Sequence, residues 1–405
     1  MRAQVRIHTL GCMRNTFLRI TAALAAGLVA VPAAASAAPA ETASDPLETR
    51  FEDFAALGGH SVLAEVRDGD DVWSEASGLR SLEPGAEAAR PGDRVRIGSA
   101  TKSFTAAILV QLQGEGALDL DDPVGDHLPG LLPYEEDPTI RQLLTHTSGL
   151  PDFLPFLYPS LATGDISDVR EGYRRHYEPA ELVALATQAP LRFEPGTGYA
   201  YSNAGYMVLG MLVEKVTGHA LGTEMRERII EPAGLDRTYL PSGRGTGLKG
   251  PHLTPYITTG EEDDPYFDTT KLSASQLWAG GGVVSNVADL NDFYTALTDG
   301  TLLTADELAE ATDFVETGKS FEYGLGLFGK RFGCADDPDE VFIGHDGDGL
   351  GHEVVSFHSL DDERHVTVAW NIGDKHGYTD PDAFDDALDA LLRTALCGSD
   401  NRSGE

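Results

Sequence analysis

The chain has 405 residues, 41% hydrophobic and 8% aromatic, which is enough apolar material for a real core and long enough that two lobes around it are expected. Against 30 Lys and Arg stand 65 Asp and Glu, a formal charge of −35 at neutral pH. Such a surface repels nucleic acid and anionic membrane, and counts against both as partners.

Residues 1–37 read as an export signal. Arg2, Arg6, Arg14 and Arg19 stand without an acid among them, an apolar run follows over 20–31, and Ala35-Ser36-Ala37 fits an A-x-A cleavage site. The run is too short and too rich in Ala and Gly for a membrane anchor, and no later stretch is apolar enough to span a bilayer. Met13 is an alternative start. A secreted, extracellular protein cleaved near Ala37 would lose Cys12 and keep Cys334 and Cys397, an even count in an oxidising compartment, so these two are expected to be bonded.

Past the signal, 51–57 suits a short helix, and 60–73 alternates like a strand with a turn at Asp68-Gly69-Asp70-Asp71. A short extended piece, 94–98, leads into Ser99. Residues 103–113 carry apolar side chains at spacings of three and four on most faces, the pattern of a buried helix, which Gly114 and Gly116 end. Helices are expected at 140–146, 179–186, 205–216, 288–297 and 304–312, with a turn at Gly280-Gly281-Gly282. Strand character returns at 323–327, 341–344, 353–358 and 365–371, and an amphipathic helix closes the chain over 381–396. Strands thus sit at both ends and helices fill the middle. The economical α/β (α+β) architecture is one antiparallel sheet assembled from both ends, with flanking helices and an inserted helical lobe. The α/β lobe takes 45–118 and 283–398, the mainly helical lobe 119–282, and 399–405 is a tail.

Ser99-Ala100-Thr101-Lys102 opens the buried helix as S-x-x-K. Residues three apart share a helix face, so the lysine reaches the serine hydroxyl, and burial favours the neutral amine that can accept its proton. Two further segments follow: Tyr201-Ser202-Asn203 before a helix, and Gly344-His345-Asp346-Gly347 at the end of a strand-like run. Taken with Leu143-Leu144-Thr145-His146-Thr147-Ser148-Gly149-Leu150 and Tyr323-Gly324-Leu325-Gly326-Leu327, this order of motifs resembles the serine penicillin-recognising hydrolases: class C β-lactamases, secreted D-alanyl-D-alanine carboxypeptidases, and related esterases and D-aminopeptidases.

The resemblance implies the serine β-lactamase/penicillin-binding-protein fold and hydrolysis through an acyl-enzyme, with no cofactor or metal. Ser99 would be the nucleophile, with Lys102 and Tyr201 handling protons; which of these two is the acylation base stays open. Asn203, His345, Asp346 and Gly347 would contact substrate, and the backbone N–H groups of Ser99 and Asp348 would form the oxyanion hole. The activity would be like that of a D-alanyl-D-alanine carboxypeptidase or β-lactamase, on D-alanyl peptides, esters, amides or β-lactams; an esterase or D-amino-acid amidase or aminopeptidase of the same family is the alternative, and a sensor that is acylated without turnover the non-enzymatic one. Two departures weigh against a carboxypeptidase. Asp346 stands where many relatives carry a hydroxyl, and Phe328 where some carry an arginine. No G-x-S-x-G elbow surrounds Ser99, and Leu350 breaks a calcium-loop reading of Asp346-Gly347-Asp348-Gly349.

Overall fold

The computed structural model describes residues 45–398 apart from 58, 243–244 and 373–379; the expected signal, 1–37, and the tail, 399–405, lie outside the described residues. Its strands are β1 (Ser61–Asp68), β2 (Asp71–Gly78), β3 (Val95–Arg96), β4 (Tyr256–Thr258), β5 (Tyr266–Asp268), β6 (Val284–Ser285), β7 (Val315–Glu316), β8 (Glu322–Tyr323), β9 (Phe328–Lys330), β10 (Phe342–Asp348), β11 (His352–Ser359) and β12 (Arg364–Asn371). Eight of them form one antiparallel sheet in the order β2-β1-β12-β11-β10-β9-β8-β7. The two chain ends meet in its second and third strands, where Val62 pairs with Trp370 and Val66 with Val366.

Both faces of the sheet are covered, which explains why β1 is nearly continuously buried. Successive side chains take opposite faces: Val62, Ala64 and Val66 join one cluster, with Phe54, Trp370, Phe384 and Leu391, while Leu63 joins the other. The first cluster lies under α1 (Pro46–Leu57) and α8 (Pro381–Cys397). The second runs unbroken through α2 (Thr101–Gly114), α3 (Ile140–Leu144), α4 (Pro179–Ala186), α5 (Asn203–Thr217), α6 (Trp278–Gly281) and α7 (Val287–Thr298). The disulfide Cys334–Cys397 ties the segment after β9 to the end of α8.

Helix α2 is buried on almost every side. Phe104 stacks on Phe293 of α7 at 3.7 Å between ring centroids. The polar residues of α2 find backbone acceptors, Ser103 Oγ on Gly326 O at 2.7 Å and Thr105 Oγ1 on Ala279 O at 2.8 Å. One expected strand fails here. The extended run ends at Tyr323, and Gly324 turns back to donate its N–H to Leu327 O at 2.7 Å. The passing α2 is the cause: a Cβ on Gly326, which has φ +71°, would lie 2.6 Å from Ala106 Cβ. The glycine turn expected at 280–282 belongs largely to the single helical turn α6.

Between the sheet and α7 runs a buried chain of polar groups. Asn291 Nδ2 donates to Glu65 Oε1 at 3.2 Å, and Thr367 Oγ1 donates to Asn291 Oδ1 at 2.7 Å. Ser356 Oγ lies 2.6 Å from Thr367 Oγ1 and 2.7 Å from His358 Nε2. His358 Nδ1 lies 2.8 Å from His365 Nδ1, and His365 Nε2 lies 3.0 Å from Asp362 O. Arg67 holds Glu65 at 2.7 Å and Asp292 at 2.8 Å.

Candidate active site

Residues Gly98–Ala100 form a tight turn that continues directly into α2, so Ser99 stands one turn before Lys102 on the same face. The end of β10 crosses this turn at backbone distance. A Cβ on Gly98 (φ +49°) would fall 2.4 Å from Asp348 O, and one on Gly347 would fall 1.9 Å from Ile97 O and 3.0 Å from Ser99 N. Only glycine fits at either point, and that close approach sets the main chain of Asp348 beside Ser99.

Lys102 is wholly buried. Its Nζ lies 3.2 Å from Ser99 Oγ, 2.8 Å from Asn203 Oδ1 and 2.7 Å from Gly280 O. Two of these partners can only accept, whereas the serine can donate. A neutral amine, with two N–H groups and one lone pair, fits this set: it donates to Asn203 and Gly280 and takes the Ser99 proton. Burial pushes the Lys102 pKa down to about 7, against the pull of the Asp152 and Asp346 carboxylates. The neutral form is thus accessible at ordinary pH.

Ser202 is the N-cap of α5: its Oγ accepts from Gly205 N–H at 3.4 Å and donates to Pro151 O at 3.0 Å. The cap fixes Tyr201 just before the helix and Asn203 as its first residue. Tyr201 Oη is buried, faces Ser99 and closes no ordinary hydrogen bond. Burial raises its pKa well above 10, so the phenol stays protonated. Lys102 Nζ sits 4.7 Å from the Tyr201 ring centroid. His146 packs under the same ring at 4.2 Å and accepts Ser202 N–H on Nδ1 at 3.2 Å. Burial, with Lys102 next, holds His146 well below the imidazole range, so it is neutral.

Strand β10 separates two residues that the sequence reading had placed together against substrate. Asp346 is exposed and lines the cleft beside Ser99, with Gly347. His345 is fully buried: its ring stacks on Phe328 at 4.3 Å, and its Nε2 meets Tyr323 Oη at 2.9 Å. Neighbours on a strand point to opposite faces, so the His345 side chain supports the site from behind and does not line the cleft. The cleft measures about 440 Å³. Ser99, Tyr199, Tyr201, Phe321 and Phe328 supply its reactive and aromatic wall; Asp346, Asp348, Glu353 and Asp385 supply carboxylates, and Lys319 is the cation among its described lining residues.

Three contributors escaped the sequence reading. The Gly280 carbonyl is main chain and carries no side-chain signature. Asp152 lies two residues past the Leu143–Leu150 segment and 51 residues from Asn203, yet accepts from Asn203 Nδ2 at 2.8 Å. His146 reads from sequence as a structural histidine with no evident partner, and its partners are the Tyr201 ring and the Ser202 N–H.

Known proteins with this arrangement are close at hand. The chain matches the Beta-lactamase family over residues 47–390. It is similar to a D-stereospecific amidohydrolase from Streptomyces sp., 31% identical with a TM-score of 0.74 over 87% of this chain and 98% of that one. It is also similar to the D-amino acid amidase of Ochrobactrum anthropi SV3 solved with L-phenylalanine amide, 26% identical with a TM-score of 0.73 over 86% and 97% of the two chains. A D-aminopeptidase of Brucella anthropi is 29% identical over 77% of this chain and 56% of its own length. The chain spans about half the length of the curated relatives it matches. A family match over most of the chain, joined to a Ser-x-x-Lys arrangement on the shared fold, places this chain in the Beta-lactamase family.

Proposed function

We propose that the protein hydrolyses small amides and esters whose acyl part carries an ammonium group and an aromatic or bulky apolar side chain, in the manner of a D-amino-acid amidase or aminopeptidase. The observation that carries this reading is Asp346, a 62% exposed carboxylate on the cleft face beside Ser99. A substrate ammonium would be drawn to it and a free C-terminal carboxylate repelled. At 4 Å the charge–charge term is about 1 kcal/mol in water and about 4 kcal/mol at an effective dielectric of 20; the exposure of Asp346 places it toward the lower figure. Tyr199, Phe321 and Phe328 offer the apolar wall, and the amidase and aminopeptidase relatives act on molecules of this class by name.

In the proposed reaction, neutral Lys102 takes the Ser99 proton as Oγ attacks the carbonyl. The N–H groups of Ser99 and Asp348 receive the oxyanion, an interaction worth about 3 kcal/mol per donor. Tyr201, kept protonated, passes its proton to the leaving amine or alcohol as the carbonyl–leaving-group bond breaks, and takes the former Ser99 proton from Lys102 in its place. Water then attacks the acyl-enzyme with the same pair returning the proton. Export fits as well: the Cys334–Cys397 disulfide suits an oxidising compartment, and no helix among the described residues is long and apolar enough to cross a membrane.

The test compares D-phenylalanine amide, its methyl ester, the N-acetylated amide and an N-acyl-D-alanyl-D-alanine peptide on wild type and Asp346→Asn. Wild type is expected to favour the free-ammonium substrates, and Asp346→Asn to lose about tenfold in kcat/KM on those alone. Preference for the free-carboxylate peptide in wild type would establish a carboxypeptidase instead.

A further inference from the structure

We infer that Asp152 is a positioning residue for the catalytic base: it fixes the sense of the Asn203 amide so that the Lys102 lone pair is left for Ser99. The inference rests on the acyl-enzyme reading above and extends it to a residue outside the Ser-x-x-Lys and Tyr-x-Asn motifs.

An asparagine side chain presents an acceptor at one end and donors at the other. Asn203 touches a partner at each end, Lys102 at Oδ1 and Asp152 at Nδ2, both at 2.8 Å. A carboxylate only accepts, so Asp152 Oδ2 takes the amide donor, and the carbonyl end must face Lys102. Were the amide turned over, its N–H would point at Lys102 Nζ. A neutral amine has one lone pair, and that donor would compete for it with the Ser99 hydroxyl. With Oδ1 facing it, Nζ has acceptors in two directions, Asn203 and Gly280, and the lone pair is aimed at the third, Ser99.

The carboxylate is itself held. Its Oδ1 accepts Leu154 N–H at 3.1 Å. The segment that carries it is clamped to the one carrying Asn203, through Ala200 N–H on His146 O at 2.9 Å, Gly196 N–H on Thr147 O at 2.8 Å and Ser202 Oγ on Pro151 O at 3.0 Å. Asp152 also acts at longer range: it is the first among the charges that favour protonated Lys102, with Asp346 second. Removing its charge therefore makes the lysine easier to deprotonate even as the lone pair is misdirected, and the two effects are read on different axes.

The experiment measures the rate of Ser99 labelling by a fluorophosphonate, by intact mass, from pH 5 to 9, with melting temperature in parallel, for wild type, Asp152→Asn, Asp152→Glu and Asp152→Ala. In Asp152→Asn the plateau rate is expected to fall about tenfold or more while the acid limb moves to lower pH. Asp152→Glu, which keeps the charge, is expected to keep the limb in place, and Asp152→Ala to match Asp152→Asn. A folded Asp152→Asn or Asp152→Ala with the wild-type plateau and limb overturns the inference. If both fail to fold, an acid limb displaced in Asp152→Glu overturns it and a limb kept in place supports it. Wild type that is never labelled at Ser99 would sink the acyl-enzyme reading and this inference with it; labelled wild type with indifferent variants sinks the inference alone.

Discussion

The carbonyl oxygen of Gly280 lies nearer to Lys102 Nζ, at 2.7 Å, than does the hydroxyl that the amine is to activate, Ser99 Oγ at 3.2 Å. A main-chain acceptor on the rigid turn α6 orients the amine without titrating or rotating, so the fine adjustment of the base falls to its environment. That environment pushes its pKa down to about 7. In the proposed mechanism neutral lysine is the active form, so acylation is expected to rise about tenfold per pH unit below pH 7 and to level off above it. Stopped-flow acylation with a chromogenic ester from pH 5 to 9 checks this; a limb centred near pH 4 would point to a carboxylate base. Lys102→Arg, which keeps charge but has no usable lone pair, is expected to slow acylation by about a thousandfold or more.

Tyr201→Phe removes one hydroxyl and leaves the ring that packs on His146. Because the phenol is held protonated by burial, the proposed mechanism gives it the relay of a proton and not the start of the attack. Both acylation and deacylation are expected to slow by about 10²- to 10⁴-fold with substrate affinity unchanged. Single-turnover and steady-state rates on an amide substrate separate the steps, and an unaltered turnover number would remove Tyr201 from the mechanism.

Gly347→Ala would drive a methyl group into Ile97 O, at 1.9 Å, and against Ser99 N. Main chain cannot step aside cheaply, so β10 must move off the nucleophile turn, and Asp348 with it. Turnover is expected to fall by about 10²-fold or more, the loss of an oxyanion donor, with a lower melting temperature. Thermal melting beside kcat distinguishes this from simple unfolding: a folded variant with full activity would place the oxyanion donors elsewhere.

Much of this site is visible in the sequence because its chemistry is local. Ser99 and Lys102 are one helical turn apart, and the apolar residues that follow announce that the lysine is buried. Tyr201 and Asn203 enter through the resemblance alone; the serine cap between them is a local feature that names no role. What hides is either main chain or distant: the Gly280 carbonyl, and the Asp152 carboxylate, brought in by a chain of loop hydrogen bonds. His345 was misplaced for a different reason. Strand alternation assigns opposite faces to His345 and Asp346, and a family motif names them side by side. The strand expected at 323–327 fails because Gly326 serves the close passage of α2 and Gly324 that of the Ala311 main chain, which a pattern of apolar residues does not reveal.

The polar chain under α7 has a consequence that comes from counting. From Asp362 O through His365, His358, Ser356, Thr367 and Asn291 to Glu65 Oε1 there are six contacts at hydrogen-bond distance. Both ends are acceptors, a carbonyl and a carboxylate that Arg67 holds. The five residues between supply one proton each along the chain in their neutral forms, since a neutral imidazole has a single N–H. One of the six contacts therefore goes without a proton while both imidazoles are neutral. The charges around that pair are Asp362, whose Oδ1 is 3.2 Å from His365 Nε2, and Arg67 with Glu65 and Asp292, while Tyr294 stacks on His358 at 4.2 Å. Burial holds His358 well below the imidazole range, so it stays neutral in the folded state where the unfolded chain takes up a proton. The unfolded state thus binds more protons below the ordinary imidazole pKa of about 6.5, and stability is lost as pH falls through that range. Denaturant unfolding from pH 8 to 5 is expected to show this loss in wild type and less of it in His358→Gln; equal losses in the two would mean that another group carries it. A histidine far from Ser99 thus makes folding in mildly acid surroundings release a proton.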